Sequence, residues 1–98
     1  KYFLKINIFK KIYFVKNLNK IMSEVIEKKV IEIVADVLNV EDINLKSSQE
    51  KLDEWDSMAY LSVISRLEEE FNIEINQENI NNFTSIKKII EEVKYAKS

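Results

Sequence analysis

The residues best placed to do chemistry stand in one short run, Asp53-Glu54-Trp55-Asp56-Ser57-Met58. A serine hydroxyl becomes a strong nucleophile only beside a base, and the chain contains no His, the commonest such base and the commonest transition-metal ligand. It has no Cys either, which excludes disulfides, thiolate metal sites and thiol nucleophiles. With no Gly, phosphate-cradling loops of the GxxxxGK[ST] and GxGxxG kinds cannot form. No carboxylate pair can be assigned to general acid–base work, because the acids fall on helix faces and loops. These exclusions predict no catalytic residue and no metal site, hence a protein that is not an enzyme. Asp-Ser ahead of an apolar run is, by itself, a helix start with Ser57 as its cap.

The elements that must hold this run are helices. The stripe Ile26, Val30, Ile33 and Val37 follows the 3.6-residue period, with Glu27, Glu32 and Asp36 turned outward. Ser23 is the expected cap and Leu38 the approximate end, with Asn39 as the stop in place of Gly. Residues 40–56 carry no helical period, yet Val40, Ile43, Leu45, Leu52 and Trp55 are spaced through them, which predicts a long loop pinned to a core. A second helix is expected from Asp56 or Ser57 to Phe71, with Tyr60, Ile64, Leu67 and Phe71 on one face and Asn72 as its stop. The polar stretch Asn76 to Asn82 predicts a brief third helix. A last one, capped by Thr84 or Ser85, turns Ile86, Ile89, Ile90 and Val93 inward. No segment alternates with period two for long enough to predict a sheet. The expected fold is all-α: three longer helices and a short one in a small antiparallel bundle, with a long loop between helices one and two.

With 98 residues there is room for one small domain, and the net charge of −2 conceals a division within it. Residues 1–21 hold six lysines and no acid, which leaves residues 22–98 at a net −8. Lys, Ile, Asn, Phe and Tyr, residues with AT-rich codons, make up nearly all of the first segment, and composition becomes ordinary from Met22 onward. The expectation is a basic leader over 1–21 that is upstream sequence rather than part of the native domain, and a domain over 22–98. A membrane-surface or nucleic-acid role for the lysines is the competing reading. The apolar runs of the leader are too short and too often interrupted by Lys to span a bilayer. The charge of the remainder argues against a nucleic-acid surface.

Residues 22–98 resemble an acyl carrier protein. The attachment motif of that family, Asp-Ser-Leu, matches Asp56-Ser57-Met58. The run Leu67-Glu68-Glu69-Glu70-Phe71-Asn72-Ile73-Glu74-Ile75 is similar to the family's LEEEFGIEI-type ending of helix two, and it stands in register with the motif. The resemblance implies that Ser57 bears a covalent 4′-phosphopantetheine arm, transferred from coenzyme A by a phosphopantetheinyl transferase. Asp56 and Met58 would flank the attachment. The arm's own sulfur would hold an acyl or aminoacyl group, so the missing Cys and His are no obstacle. The implied partners are that transferase and the enzymes that load and process the cargo, which would dock on Asp53, Glu54, Glu68 and Glu69. The implied carrier is a cytoplasmic monomer with no nucleic acid and no membrane span. The family's carriers open a cavity for the acyl chain among residues such as Tyr60, Leu67 and Phe71.

Two departures bear on pathway. Fatty-acid carriers usually place acids where this chain has Ala59 and Ser62, and Glu54-Trp55 replaces a small or Gly-containing approach to the motif. Both alter the surface that partners read, which points to a specialised biosynthetic pathway rather than bulk fatty-acid biosynthesis. A D-alanyl or peptidyl carrier shares the same attachment chemistry. A helical interaction domain in which Ser57 is only a cap is the alternative from another class.

Overall fold

The computed structural model describes the backbone of residues 2–97 and the side chains of residues 10–97. The order of elements is α1 (Tyr2–Leu38), α2 (Ser57–Phe71), a three-residue 3-10 turn (Ile80–Asn82) and α3 (Ile86–Lys97). Among the described residues there is no strand, only one isolated antiparallel bridge between Ser48 and Ser85. The fold is all-α, as the periodicity predicts. The expected short third helix is present only as the 3-10 turn, so the described residues form three α-helices.

The largest departure is at the start of α1. Ser23 does not cap a helix but lies within one, because α1 runs unbroken from Tyr2. A serine caps only where the backbone before it leaves the helical region, and upstream of Ser23 there is no Gly or Pro to make it do so. A helix of that length spans about 55 Å, close to the 61 Å long axis of the molecule. Among the described side chains, the first buried one is Ile26. From there Ile26, Val30, Ile33, Val34 and Leu38 are buried at helical spacing. Before it Tyr13, Phe14, Val15, Leu18, Ile21, Met22 and Val25 are all exposed. Since residues 10–25 contribute no buried side chain, a chain beginning at Met22 is expected to melt within about 2–4 °C of the full chain. A larger fall in a thermal scan would mean that the basic segment supports the bundle.

α1 is the wall against which both α2 and α3 pack. α2 contributes Val63, Ile64 and Leu67, and α3 contributes Ile86, Ile89, Ile90 and Val93, all buried. Each fully buried aliphatic side chain of this kind stabilises the fold by about 1.5–3 kcal/mol before entropy is counted. Three surface ion pairs link the same helices: Lys29 with Glu70 at 3.0 Å, Arg66 with Asp36 at 2.9 Å, and Lys94 with Glu27 at 3.8 Å. All three pairs are exposed to solvent, which screens them, so they adjust the packing rather than cause it.

Asn supplies both helix stops, as expected of a chain without Gly. Asn39 (φ 54°) and Asn72 (φ 52°) are the residues with positive φ among those described. After α1 the Val40 N–H returns to the Ala35 carbonyl at 3.1 Å; after α2 the Asn72 and Ile73 N–H groups both return to the Glu68 carbonyl. These bonds take up carbonyls that the helix ends would otherwise leave without partners.

The connection from α1 to α2 is held down, as its apolar residues suggest. Ile43 and Trp55 are buried and Val40 and Leu52 pack against the core. Leu45 is the exception: it is exposed, on a turn between Asn44 and Ser47. In that turn the Ser47 hydroxyl accepts the Asn44 N–H, and the Asn44 side-chain carbonyl accepts the Lys46 N–H. The loop is then fastened to the start of α3. Gln49 N–H donates to the Thr84 carbonyl at 2.8 Å and Ile86 N–H donates to the Ser47 carbonyl at 3.1 Å. Ser85 caps α3, its hydroxyl accepting the Lys88 N–H at 3.2 Å.

Candidate functional site

The loop delivers the chain to α2 through Trp55, whose N–H bonds to the Leu52 carbonyl at 3.0 Å and whose ring is buried. Asp56 follows with extended backbone (φ −84°, ψ −174°), and its carboxylate accepts the Ala59 N–H at 2.9 Å. Asp56 is therefore the cap of α2, and its carbonyl accepts the first helical bond, from Tyr60 N–H at 2.8 Å. Because Asp56 fills that role, Ser57 is not the cap. It is the first helical residue, exposed, and its hydroxyl makes no hydrogen bond among the described residues. A hydroxyl with no structural work, at the positive end of a 15-residue helix, is free to be modified, and any anion it then carries meets unpaired first-turn N–H groups.

The other expected site residues separate into two groups. Asp53, Glu54 and Met58 lie exposed beside Ser57, with Met58 at 75 % exposure. Glu68 and Glu69 sit at the far end of α2 and do not act alike. Glu69 is exposed, but Glu68 is half-buried and its carboxylate accepts the Ile75 N–H at 3.1 Å, which ties down the segment after the helix. Glu70 is engaged with Lys29. The outward face of α2 next to Ser57 instead carries Met58, Leu61, Ser62 and Ser65, all exposed. Leu61 was not among the residues the sequence singled out; its place three positions after Met58, off the Tyr60–Ile64–Leu67 stripe, is the signal that finds it.

Inside α2, Tyr60 is half-buried and its hydroxyl donates to the Ile80 carbonyl, joining the helix to the 3-10 turn. Burial raises the Tyr60 pKa above its ordinary 10.0. The hydrogen bond and charge of Glu70 raise that of Lys29 above 10.5. Both groups hold their protons more tightly folded than unfolded, so their contributions are complete below about pH 10 and are lost as pH rises through the folded values. The thermal midpoint should therefore fall on the alkaline side, and Tyr60→Phe should make that fall shallower. A midpoint independent of pH from 9 to 11.5 would refute this.

Among the described residues no cluster of acids suggests a metal ion, and no helix is long and apolar enough to cross a membrane. The residues present fit a phosphopantetheine group on Ser57: a free hydroxyl at a helix start, no bulky side chain bonded across it, and, two residues earlier, a buried indole Nε1–H with no acceptor among the described residues. In comparison with known families, the model described as the phosphopantetheine attachment site matches residues 28–93, from the packed part of α1 to the last buried residue of α3.

Proposed function

Since the chain belongs to the phosphopantetheine-attachment family, that of the acyl carrier proteins, we propose that Ser57 is the residue that bears the arm. The family is one of carriers rather than catalysts, and its members hold 4′-phosphopantetheine covalently, whose thiol bears the cargo as a thioester. The observation that carries the assignment to Ser57 is the division of labour at the start of α2. Asp56 caps the helix, which leaves the neighbouring hydroxyl exposed and unbonded. Around that hydroxyl this chain supplies position and field: the helix end favours the phosphodiester, and Trp55, anchored in the core, fixes where the helix begins.

The cargo is an acyl or aminoacyl group passed between biosynthetic enzymes of a specialised pathway. Support for a specialised pathway comes from the outward face of α2, where Met58, Leu61, Ser62 and Ser65 offer partners an apolar and hydroxyl surface in place of a row of acids. The charged contribution to docking falls to Asp53, Glu54 and Glu69, with Glu68 held by the loop. Partners are a phosphopantetheinyl transferase and the loading and processing enzymes of the cargo, met in the cytoplasm by a single copy of the chain. The domain proper is residues 22–98, supported by the onset of packing at Ile26.

The test is an intact mass spectrum after incubation with coenzyme A and a broad-specificity transferase, followed by fragmentation. One phosphopantetheine per chain, located on Ser57, is the expected result. No gain with several transferases, or an arm at another residue, would refute the assignment.

A further inference from the structure

Trp55 carries a group that the fold leaves unused. The side chain is 1 % exposed, and its Nε1–H is closed off from solvent without an acceptor among the described residues. Its backbone N–H is satisfied by Leu52, so the indole donor alone is orphaned. Buried donors without partners are few in folded proteins, because each forgoes the hydrogen bond it had in water. A buried ring could be supplied by Phe at no such cost. The position of the donor adds to this. Trp55 precedes Ser57 by two residues, a stretch of chain that spans at most about 7 Å, so a group bonded to Ser57 starts within a side chain's length of the indole.

Resting on Ser57 as the attachment residue, we infer that the Trp55 indole Nε1–H donates a hydrogen bond to a carbonyl oxygen that the arm brings into the bundle. That oxygen belongs to an amide of the arm or to the thioester of its cargo. A neutral carbonyl is the acceptor that suits the site, since burying a charged one beside a ring 1 % exposed would cost far more than a single neutral donor returns. The bond forms only when the arm folds back, so the donor that is idle in the bare protein favours the state in which the cargo is sheltered.

Trp55 is the chain's only Trp, so one indole signal appears in a proton–nitrogen correlation spectrum. It is followed in the full chain without the arm, with the arm as free thiol, and with the arm octanoylated, each form verified by intact mass. On loading, the indole proton should move downfield and exchange with deuterium about tenfold more slowly. A change already present with the free thiol assigns the acceptor to the arm's amides; one that appears only with octanoyl assigns it to the thioester. Trp55→Phe keeps an aromatic ring and removes the donor, so octanoylation should raise the thermal midpoint of the parent more than that of the variant. An indole signal unchanged in all three forms, or equal rises in midpoint, would overturn the inference while leaving the arm on Ser57. Absence of any mass gain would overturn the attachment reading and this inference together.

Discussion

With alanine at position 57 the chain should take up no phosphopantetheine under conditions where the parent gains one arm, and yet melt within about 2–4 °C of it. The two halves of that result have separate physical causes. Chemistry is lost because the only hydroxyl at the start of α2 is removed. Stability is kept because that hydroxyl is exposed and bonds to nothing, and Ala is a good residue for a first helical turn. The comparison with Asp56 makes the point sharper. Asp56→Ala removes the acceptor of the Ala59 N–H and should cost about 1 kcal/mol as the loss of a cap. Had Ser57 been the cap, the destabilisation would follow Ser57→Ala instead. Circular dichroism melts of the two variants beside their intact masses decide between these assignments. A Ser57→Ala chain that still gains an arm, or that melts as low as Asp56→Ala, would remove the basis for placing the chemistry there.

The largest loss of stability is expected from Phe83→Ala. Phe83 is 1 % exposed and enters the core between the 3-10 turn and α3. Truncating a buried Phe to Ala costs about 3–5 kcal/mol, from lost transfer and from the cavity left behind. A domain of this size has about 5–15 kcal/mol in total, so the variant should be partly unfolded near 37 °C or melt at least about 12 °C lower. Met58→Ala, at a side chain 75 % exposed, should stay within about 0.5 kcal/mol of the parent. Urea unfolding of both variants measures the difference. Equal costs would mean that the core around Phe83 is not packed as described.

Phe83 also marks the limit of what the sequence discloses. Helical periodicity reveals a residue's burial only inside a helix, and Phe83 stands in an irregular stretch among Asn and Thr, where nothing local says which way it points. Within regular elements the reading was close. The bounds of α2, the inward stripe of α3, the Asn stops at 39 and 72, and the Ser85 cap all follow from local rules. Val34 and Val63, both at 0 % exposure, widen those stripes beyond the positions singled out. The start of α1 was misread for the opposite reason: a local cap signal at Ser23 counts for nothing where the preceding residues stay helical. At the candidate site, the Asp-Ser pair directs attention to the start of α2. Which of the two caps and which is free depended on a backbone conformation at Asp56 that the sequence does not state. Glu68 drew notice as one of a run of acids; its bond to the Ile75 N–H is a contact across seven residues that composition cannot reveal.

The two hydrogen bonds that fasten the first loop to the start of α3 bear on how a carrier withstands being handled. Everything from Ser48 to Ser85, including α2 and its serine, is a closed ring of chain clasped at one point by Gln49–Thr84 and Ile86–Ser47. A partner that draws on the arm pulls on this ring, and the pull is borne both by the clasp and by the contact of α2 with α1, where Val63, Ile64 and Leu67 are buried and Lys29–Glu70 and Arg66–Asp36 pair. The strain of each transfer is thus shared between two hydrogen bonds at the mouth of the ring and an apolar contact along one side of it, and neither has to bear it alone.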